Sequence, residues 1–353
     1  MEIIELLTPA YEVAWLPWAV QYFFLIGICA TSALIAAGCA LAGGHDKRSS
    51  AYRLLPAVVA VLAATAIAAP VSLLADLHQP GRFWHFYAYF TPWSWMSLGA
   101  YLLPVFVTLS LAFCLLWWLG RPGLLRTVAV LLALSATSIL VYTGMEVMVL
   151  RSRPLWSTVF LPINFALTGW LASLGAVLLV ARWMPGGVQA LPLPLLRRMA
   201  LYAVAALAVC AGAWAATGVL GSSESFTAAM RLFDQFPAWR LSFFGSVLAG
   251  VGIVILLSRH PKALAGNAYS LFVAGAMLTA SWVFRWIIFM GVQGVPKYGA
   301  GLYLYSMPLG GDGLMGMVGV FGLCIALLVV ITYLLERFPT YKPQCAPLAA
   351  ASN

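Results

Sequence analysis

The chain has 353 residues, 63% of them hydrophobic and only 8% charged, with a mean hydropathy of +0.96. That is far more apolar surface than a soluble core can bury, so the composition excludes an ordinary soluble domain and points to a polytopic membrane protein. The net charge is +9 and the pI near 9.4, but the 19 Lys and Arg are scattered singly between apolar runs and make no basic stripe, which argues against a nucleic-acid partner.

The N-terminus carries Glu2, Glu5 and Glu12 and no Lys or Arg. It lacks the basic n-region and cleavage site of a secretory signal, so the first helix is expected to stay in the mature protein. Windows long enough to cross about 30 Å of hydrocarbon at about 1.5 Å per residue recur about nine times. In chain order they are Ala14–Leu41, Leu54–Leu77, Trp95–Leu119, Leu124–Val147, Leu161–Ala181, Met199–Gly221, Leu241–Leu257, Tyr269–Met290 and Leu314–Leu335. A β-barrel is excluded, because its strands alternate polar and apolar residues while these runs are apolar on nearly every face. The expected fold class is therefore an all-α bundle of about nine transmembrane helices. It forms a single membrane domain over residues 1–340 with a short cytoplasmic tail, 341–353.

Orientation follows from the cations in the loops. The loops after helices one, three, five and seven, with the tail, hold Lys47, Arg48, Arg53, Arg121, Arg126, Arg182, Arg197, Arg198, Arg259, Lys262, Arg337 and Lys342. The other side holds Arg82, Arg151, Arg153, Arg231, Arg240 and Lys297, and Arg285 lies within a helix. Twelve against six predicts a C-terminus in the cytoplasm and an N-terminus outside, which in a bacterium with an inner membrane is the periplasm. Of the ten acids only Asp46 and Glu336 fall on the cytoplasmic side, in agreement.

The chain is organised around the stretch from Asp76 to Trp95, a polar and aromatic hairpin between two apolar runs that holds His78, Arg82, His85, Tyr87 and Trp93. Its mix of rings and charged tips suits a headgroup-level site for an amphipathic ligand; an interface anchor with a tight Pro-Gly turn is the structural alternative. Other costly residues converge on the same outer level. Gln21 lies six residues past Trp15, about 9 Å in, with Trp18 and Tyr22 on its side of helix one. Tyr142 and Glu146 share a face of helix four in its outer turns, Asn164 begins helix five, Arg285 sits one turn inside helix eight, and Asp312 precedes helix nine. Gln21 has an alternative reading as a helix-to-helix hydrogen bond and Tyr142 as an interfacial tyrosine. An ionisable group at this depth costs on the order of 3 kcal/mol unless paired or wet, which a Glu146–Arg285 salt bridge would also relieve. Convergence from five helices implies a pocket.

No helix interior carries a histidine: His45 and His260 fall in cytoplasmic loops, and His78 and His85 in or beside the hairpin. Haem is therefore not expected. Cys29, Cys39, Cys114, Cys210, Cys324 and Cys345 show no C-x-x-C spacing and lie mostly within apolar helices, so neither an iron–sulfur cluster nor a disulfide framework is expected. There is no glycine-rich phosphate loop and no Ser-His-Asp constellation. The expectation is a chain with no redox centre or metal of its own.

Several blocks resemble the membrane subunit of the polysulfide reductase (NrfD-type) family. They are Trp15-Leu-Pro-Trp-Ala-Val-Gln-Tyr-Phe-Phe-Leu-Ile-Gly27, Ala75-Asp-Leu-His-Gln-Pro-Gly-Arg-Phe-Trp-His-Phe-Tyr87, Thr91-Pro-Trp-Ser-Trp-Met96, Val141-Tyr-Thr-Gly-Met-Glu-Val147, Val292-Gln-Gly-Val-Pro-Lys297 and Tyr305-Ser-Met-Pro-Leu-Gly-Gly-Asp-Gly313. The resemblance covers most of the chain. It implies a quinol-oxidising anchor (menaquinol or ubiquinol) for two partners, a periplasmic iron–sulfur subunit and a molybdopterin catalytic subunit that reduces tetrathionate. Polysulfide, thiosulfate or a sulfoxide are alternative acceptors. In the family the quinone lies near the periplasmic surface, which carries over to Gln21 and to Tyr142. Some relatives present Asn or His in the first-helix motif where this chain has Trp18 and Gln21, so their ligand geometry does not transfer.

The residues support the same assignment from their chemistry. A quinol needs hydrogen-bond partners for two hydroxyls, an apolar cleft for its tail and a proton exit. The expected quinone-binding residues are Trp18, Gln21, Tyr22, His78 and Tyr142. Asp76, Arg82, Glu146 and Arg285 are expected to carry protons out or stabilise charge, and His85, Tyr87, Trp93, Lys297, Tyr305 and Asp312 to dock the partner. A secondary transporter is the alternative from another class, but it would show repeat-related broken helices around a midplane site, whereas polarity here is biased to one face.

Overall fold

The computed structural model describes residues 13–43, 46, 48–77, 79–259, 261–295 and 305–338. His78 and Lys297, both expected at the functional face, lie outside the described residues, as does the tail 341–353. No strand occurs among the described residues, and nine helices are long and apolar enough to cross a membrane. They are α1 (Pro17–Leu41), α2 (Ser50–Asp76), α4 (Trp95–Trp118), α5 (Pro122–Met148), α6 (Phe160–Val180), α7 (Leu193–Val219), α9 (Pro237–Ser258), α11 (Asn267–Trp286) and α12 (Leu314–Arg337). Three shorter helices complete the set: α3 (His85–Ala88), α8 (Glu224–Gln235) and α10 (Pro261–Leu264). The chain is a multi-pass integral membrane protein, as its apolar runs predict.

Helix ends follow local chemistry. Pro17 opens α1 at its first position, where the missing N–H costs nothing. Ser49, Ser94 and Ser223 cap α2, α4 and α8 by accepting from the amides of Tyr52, Ser97 and Phe226. α4 stops at Gly120, whose φ of +62° no β-carbon favours; its amide donates to Trp117 O and that of Arg121 to Leu116 O. Pro56 and Pro70 inside α2 and Pro104 inside α4 are tolerated because packing around a membrane helix resupplies the freed backbone groups.

α1 is the axis of the bundle, packed against α2, α5, α6, α11 and α12 and buried along nearly its whole length. Lipid supplies no hydrophobic drive between helices, so close contact depends on small residues and hydrogen bonds. Both occur where α1 crosses α6. A β-carbon on Gly169 would stand 3.0 Å from Gly27 O. One turn deeper, the Ser173 hydroxyl lies 2.7 Å from that of Thr31 and 2.8 Å from that of Ser32. α7 and α9 lie at the periphery, with Tyr202, Val209 and Leu248 exposed.

Two features were not foreseen. α8 is an amphipathic helix between α7 and α9, with Phe226 edge-on to Trp214 at 5.2 Å and Phe233 against Phe243 at 5.5 Å. α11 widens into a π-turn over Ile287–Gly291, and neighbouring elements meet the carbonyls at that end. Trp156 Nε1 donates to Ile288 O, Arg153 to Val292 O and Val295 O, and Gln293 Nε2 to Phe289 O and Trp15 O. The Trp15 amide returns a bond to Gln293 Oε1 at 2.9 Å, fastening the end of α11 to the start of α1.

Candidate functional site

The polar residues gather at the end of the bundle where α1 begins. Asp76, the last residue of α2, accepts from the Leu16 amide at 3.2 Å, so one carboxylate oxygen takes up a donor that the first turn of α1 leaves without an intrahelical partner. This bond holds the end of α2 level with the first turn of α1. Gln21 and Tyr22 follow one turn in, both buried. From α5, Tyr142 and Glu146 stand one turn apart on the same face, each within electrostatic reach of the other. Glu146 is in electrostatic reach of both Asp76 and Tyr22, and Tyr142 of Tyr22. Asp76, Tyr22, Tyr142 and Glu146, expected together from the sequence, form one cluster drawn from three helices.

A fourth helix shapes it. The Tyr142 ring lies against Gly99 of α4 so closely that a β-carbon there would stand 2.0 Å from Cζ and 2.2 Å from the hydroxyl oxygen. Only glycine admits this placement. Nothing in the sequence marks Gly99, because its role exists only through the ring across from it.

Among the described residues several atoms in this region have no hydrogen-bond partner: both amide atoms of Gln21, which is 0% exposed, the Tyr22 hydroxyl and Glu146 Oε2. An unmet buried polar group costs about 1–3 kcal/mol, and buried side-chain amides are ordinarily bonded. The Gln21 amide offers a donor and an acceptor and Glu146 Oε2 an acceptor, while the Tyr22 hydroxyl can serve as either. That set fits a ligand whose oxygens are themselves donors and acceptors.

The remaining expected residues are placed differently. Trp18 packs toward α12, where a β-carbon on Gly316 would come within 2.5 Å of its ring. Arg285 is 1% exposed, and its guanidinium donates to Phe23 O, Phe165 O, Ser281 O and the Thr168 hydroxyl. It also lies 5.4 Å from the Phe165 ring. These bonds tie α1, α6 and α11 together, and no carboxylate is among them. Thr168, the polar residue opposite Arg285, carried no sequence signal of its own.

The hairpin is largely exposed. Arg82 ends a 3-10 turn over Pro80–Arg82, where a Pro-Gly turn was the structural alternative, and α3 follows. Trp93 is 85% and Tyr89 71% exposed. His85 sits edge-on to Trp84 at 4.1 Å, and the Tyr101 hydroxyl donates to Tyr87 O at 2.9 Å. Before α12, Tyr305 sits edge-on to Trp286 at 6.3 Å; partial burial, then the neighbouring Asp312, push its phenol above the usual range. Among the described residues no group of three or more His, Cys, Asp or Glu gathers as metal ligands would.

A helical membrane subunit with a buried hydrogen-bonding cluster at one end of its first helices is the class this geometry defines. Residues 6–297 match the family described as "Polysulphide reductase, NrfD", and the chain belongs to that family. It is similar to the C subunit of tetrathionate reductase from Salmonella typhimurium, at 36% identity over 341 residues covering 93% of this chain and 94% of that protein.

Proposed function

We propose that this chain is the quinol-oxidising membrane subunit of a bacterial inner-membrane reductase complex, passing electrons to a periplasmic iron–sulfur subunit and on to a molybdopterin subunit that reduces tetrathionate. The observation that carries the reading is the Gln21 amide, fully buried with neither polar atom bonded among the described residues, at the same end of the bundle as the open Tyr22 hydroxyl and Glu146 Oε2. Near-full-length similarity to the C subunit of a tetrathionate reductase supports the choice of acceptor.

In this reading Gln21 binds one quinol oxygen and Tyr142 is held by Glu146 to bind at the same headgroup. Glu146 and Asp76 lie within electrostatic reach of each other. In this reading Glu146 takes the hydroxyl proton and Asp76, at the membrane-surface end of α2, passes it outward, a transfer that needs the two in contact or bridged by one water. His78, with a reference imidazole pKa of about 6.5, assists at that exit, and exposed Arg82 steadies charge there. Arg285 is assigned a structural role, because its donors are spent on helix carbonyls and Thr168. Trp18 shapes the wall toward α12. The exposed rings of the hairpin, with His85, Tyr87, Trp93, Lys297, Tyr305 and Asp312, form the docking surface for the iron–sulfur partner, aromatic residues being favoured at interfaces.

The test is reduction by the assembled complex. With this chain present, menaquinol is expected to drive tetrathionate reduction; with the chain deleted, only an artificial donor feeding the soluble subunits does so. Quinol-driven reduction that persists without the chain overturns the reading. The twelve-to-six cation bias supports the proposed orientation, with residues 1–340 as the membrane domain and 341–353 as a cytoplasmic tail. Cysteines placed at positions 87 and 93 are expected to react with an impermeant reagent from the periplasm, and labelling only from the cytoplasm would reverse the topology.

A further inference from the structure

An open groove of about 680 Å³ runs along the outer surface between α4 and α5, lined by Leu102, Val105 and Thr108 on one wall and Leu131, Leu134 and Ser138 on the other. Its upper end adjoins the polar cluster: Ser138 is one turn from Tyr142 on the same face of α5, and Leu102 is one turn from Gly99, the residue that receives the Tyr142 ring. Its lower end is set by Leu131 and Leu109. At about 1.5 Å per residue these lie about 15–17 Å below Tyr142 and Gly99, near the middle of a hydrocarbon core about 30 Å thick. The Ser138 hydroxyl is spent on Leu134 O at 3.0 Å, so the wall it contributes offers little polarity.

We propose that this groove is the seat of the substrate's isoprenoid tail and the path by which quinol enters from the bilayer. The proposal rests on the quinol reading of the Gln21–Tyr142 cluster. A chain lying in the groove has its polar end at Tyr142 and its apolar length in the membrane interior, the arrangement a tailed quinol must adopt to place its ring at the surface-level cluster. The volume falls within the roughly 300–1,000 Å³ of small-molecule sites. Pro104 belongs to the same wall. Its ring adds apolar surface to that wall.

The experiment uses the purified complex in lipid nanodiscs with two substrates, a menaquinol carrying a long isoprenoid tail and a tail-less naphthoquinol. Ser138→Phe and Thr108→Phe fill the groove from opposite walls, and Val130→Phe, at an exposed α5 position outside it, is the control. The expected result is a KM for the tailed quinol raised about tenfold in both groove variants, the loss of roughly two buried methylenes' worth of binding. KM for the tail-less quinol and both values in Val130→Phe are expected to stay within about twofold of the parent. An unchanged KM for the tailed quinol overturns the proposal, as does an equal rise for both quinols, which would assign the variants' effect to the headgroup. Loss of a partner subunit from the groove variants also overturns it and gives the groove to a partner's helix. Failure of the quinol reading itself would show differently, as a parent complex that uses neither quinol.

Discussion

Gly99→Ala and Tyr142→Phe are expected to lower quinol-driven turnover of the assembled complex by about ten- to a hundredfold, while reduction by an artificial donor to the soluble subunits stays unchanged. The two variants reach the same atom by different routes. Tyr142→Phe keeps the ring and removes the hydroxyl that lies within electrostatic reach of Glu146. Gly99→Ala keeps the hydroxyl but sets a methyl 2.0–2.4 Å from two ring carbons and the hydroxyl oxygen, so the ring must leave its position and take the hydroxyl with it. The ring is buried, so its displacement disturbs the cluster around it. Gln21→Ala should act on KM more than on kcat, since it removes a bond to the headgroup in both ground and transition states. If Gly99→Ala fails alone and Tyr142→Phe is silent, the ring is packing and not chemistry. If both assays fall together in both variants, the cluster supports the fold or docking and not the quinol.

Arg285→Ala is expected to destabilise the subunit by about 2–4 kcal/mol, seen as a lower melting temperature and a lower yield of assembled complex. Four donor bonds to α1, α6 and α11 disappear, each worth about 0.6 kcal/mol in a membrane, and a fully buried side chain leaves a cavity beside Gly27. Arg285→Lys separates geometry from charge. An ammonium is a compact point charge and does not reproduce the planar fork that reaches Phe23 O, Phe165 O and Thr168 together. It should therefore remain unstable, while quinol turnover per assembled complex stays near the parent's. Restoration of both stability and turnover by lysine would mean that the positive charge is what matters, returning Arg285 to the role of charge stabiliser.

The sequence made the spans legible because length and apolarity alone define them; the third window, Trp95–Leu119, differs from α4 by a single residue. α2, α7 and α9 begin before their apolar windows, at Ser50, Leu193 and Pro237 where the windows open at Leu54, Met199 and Leu241. Their first turns carry Arg53, Arg197 and Arg198, and Arg240, which lower a hydropathy window without interrupting a helix whose cations reach to the interface. α8 escaped because a twelve-residue amphipathic helix is too short and too polar to register as a span, although Ser223 before Glu224 and the spacing of Phe226, Met230 and Phe233 mark it in retrospect. At the candidate site, the i, i+4 spacing was enough to pair Tyr142 with Glu146. Asp76 at the end of its run fell at the same level. The partners of Arg285 were not legible. A buried guanidinium has five donors that backbone carbonyls satisfy as well as carboxylates do, and carbonyls leave no trace in a sequence. Gly99 was equally silent, since the absence of a side chain is informative only when its neighbour is known.

The central claim, that quinol binds at the outer ends of α1 and α5, is tested most directly by photolabelling the assembled complex with a menaquinone carrying a photoreactive group on its ring. Peptide mapping is expected to place the label on segments holding Gln21 and Tyr22 or Tyr142 and Glu146, with excess unmodified quinone competing it away. Competed labelling confined to α7, α9 or a partner subunit would contradict the account.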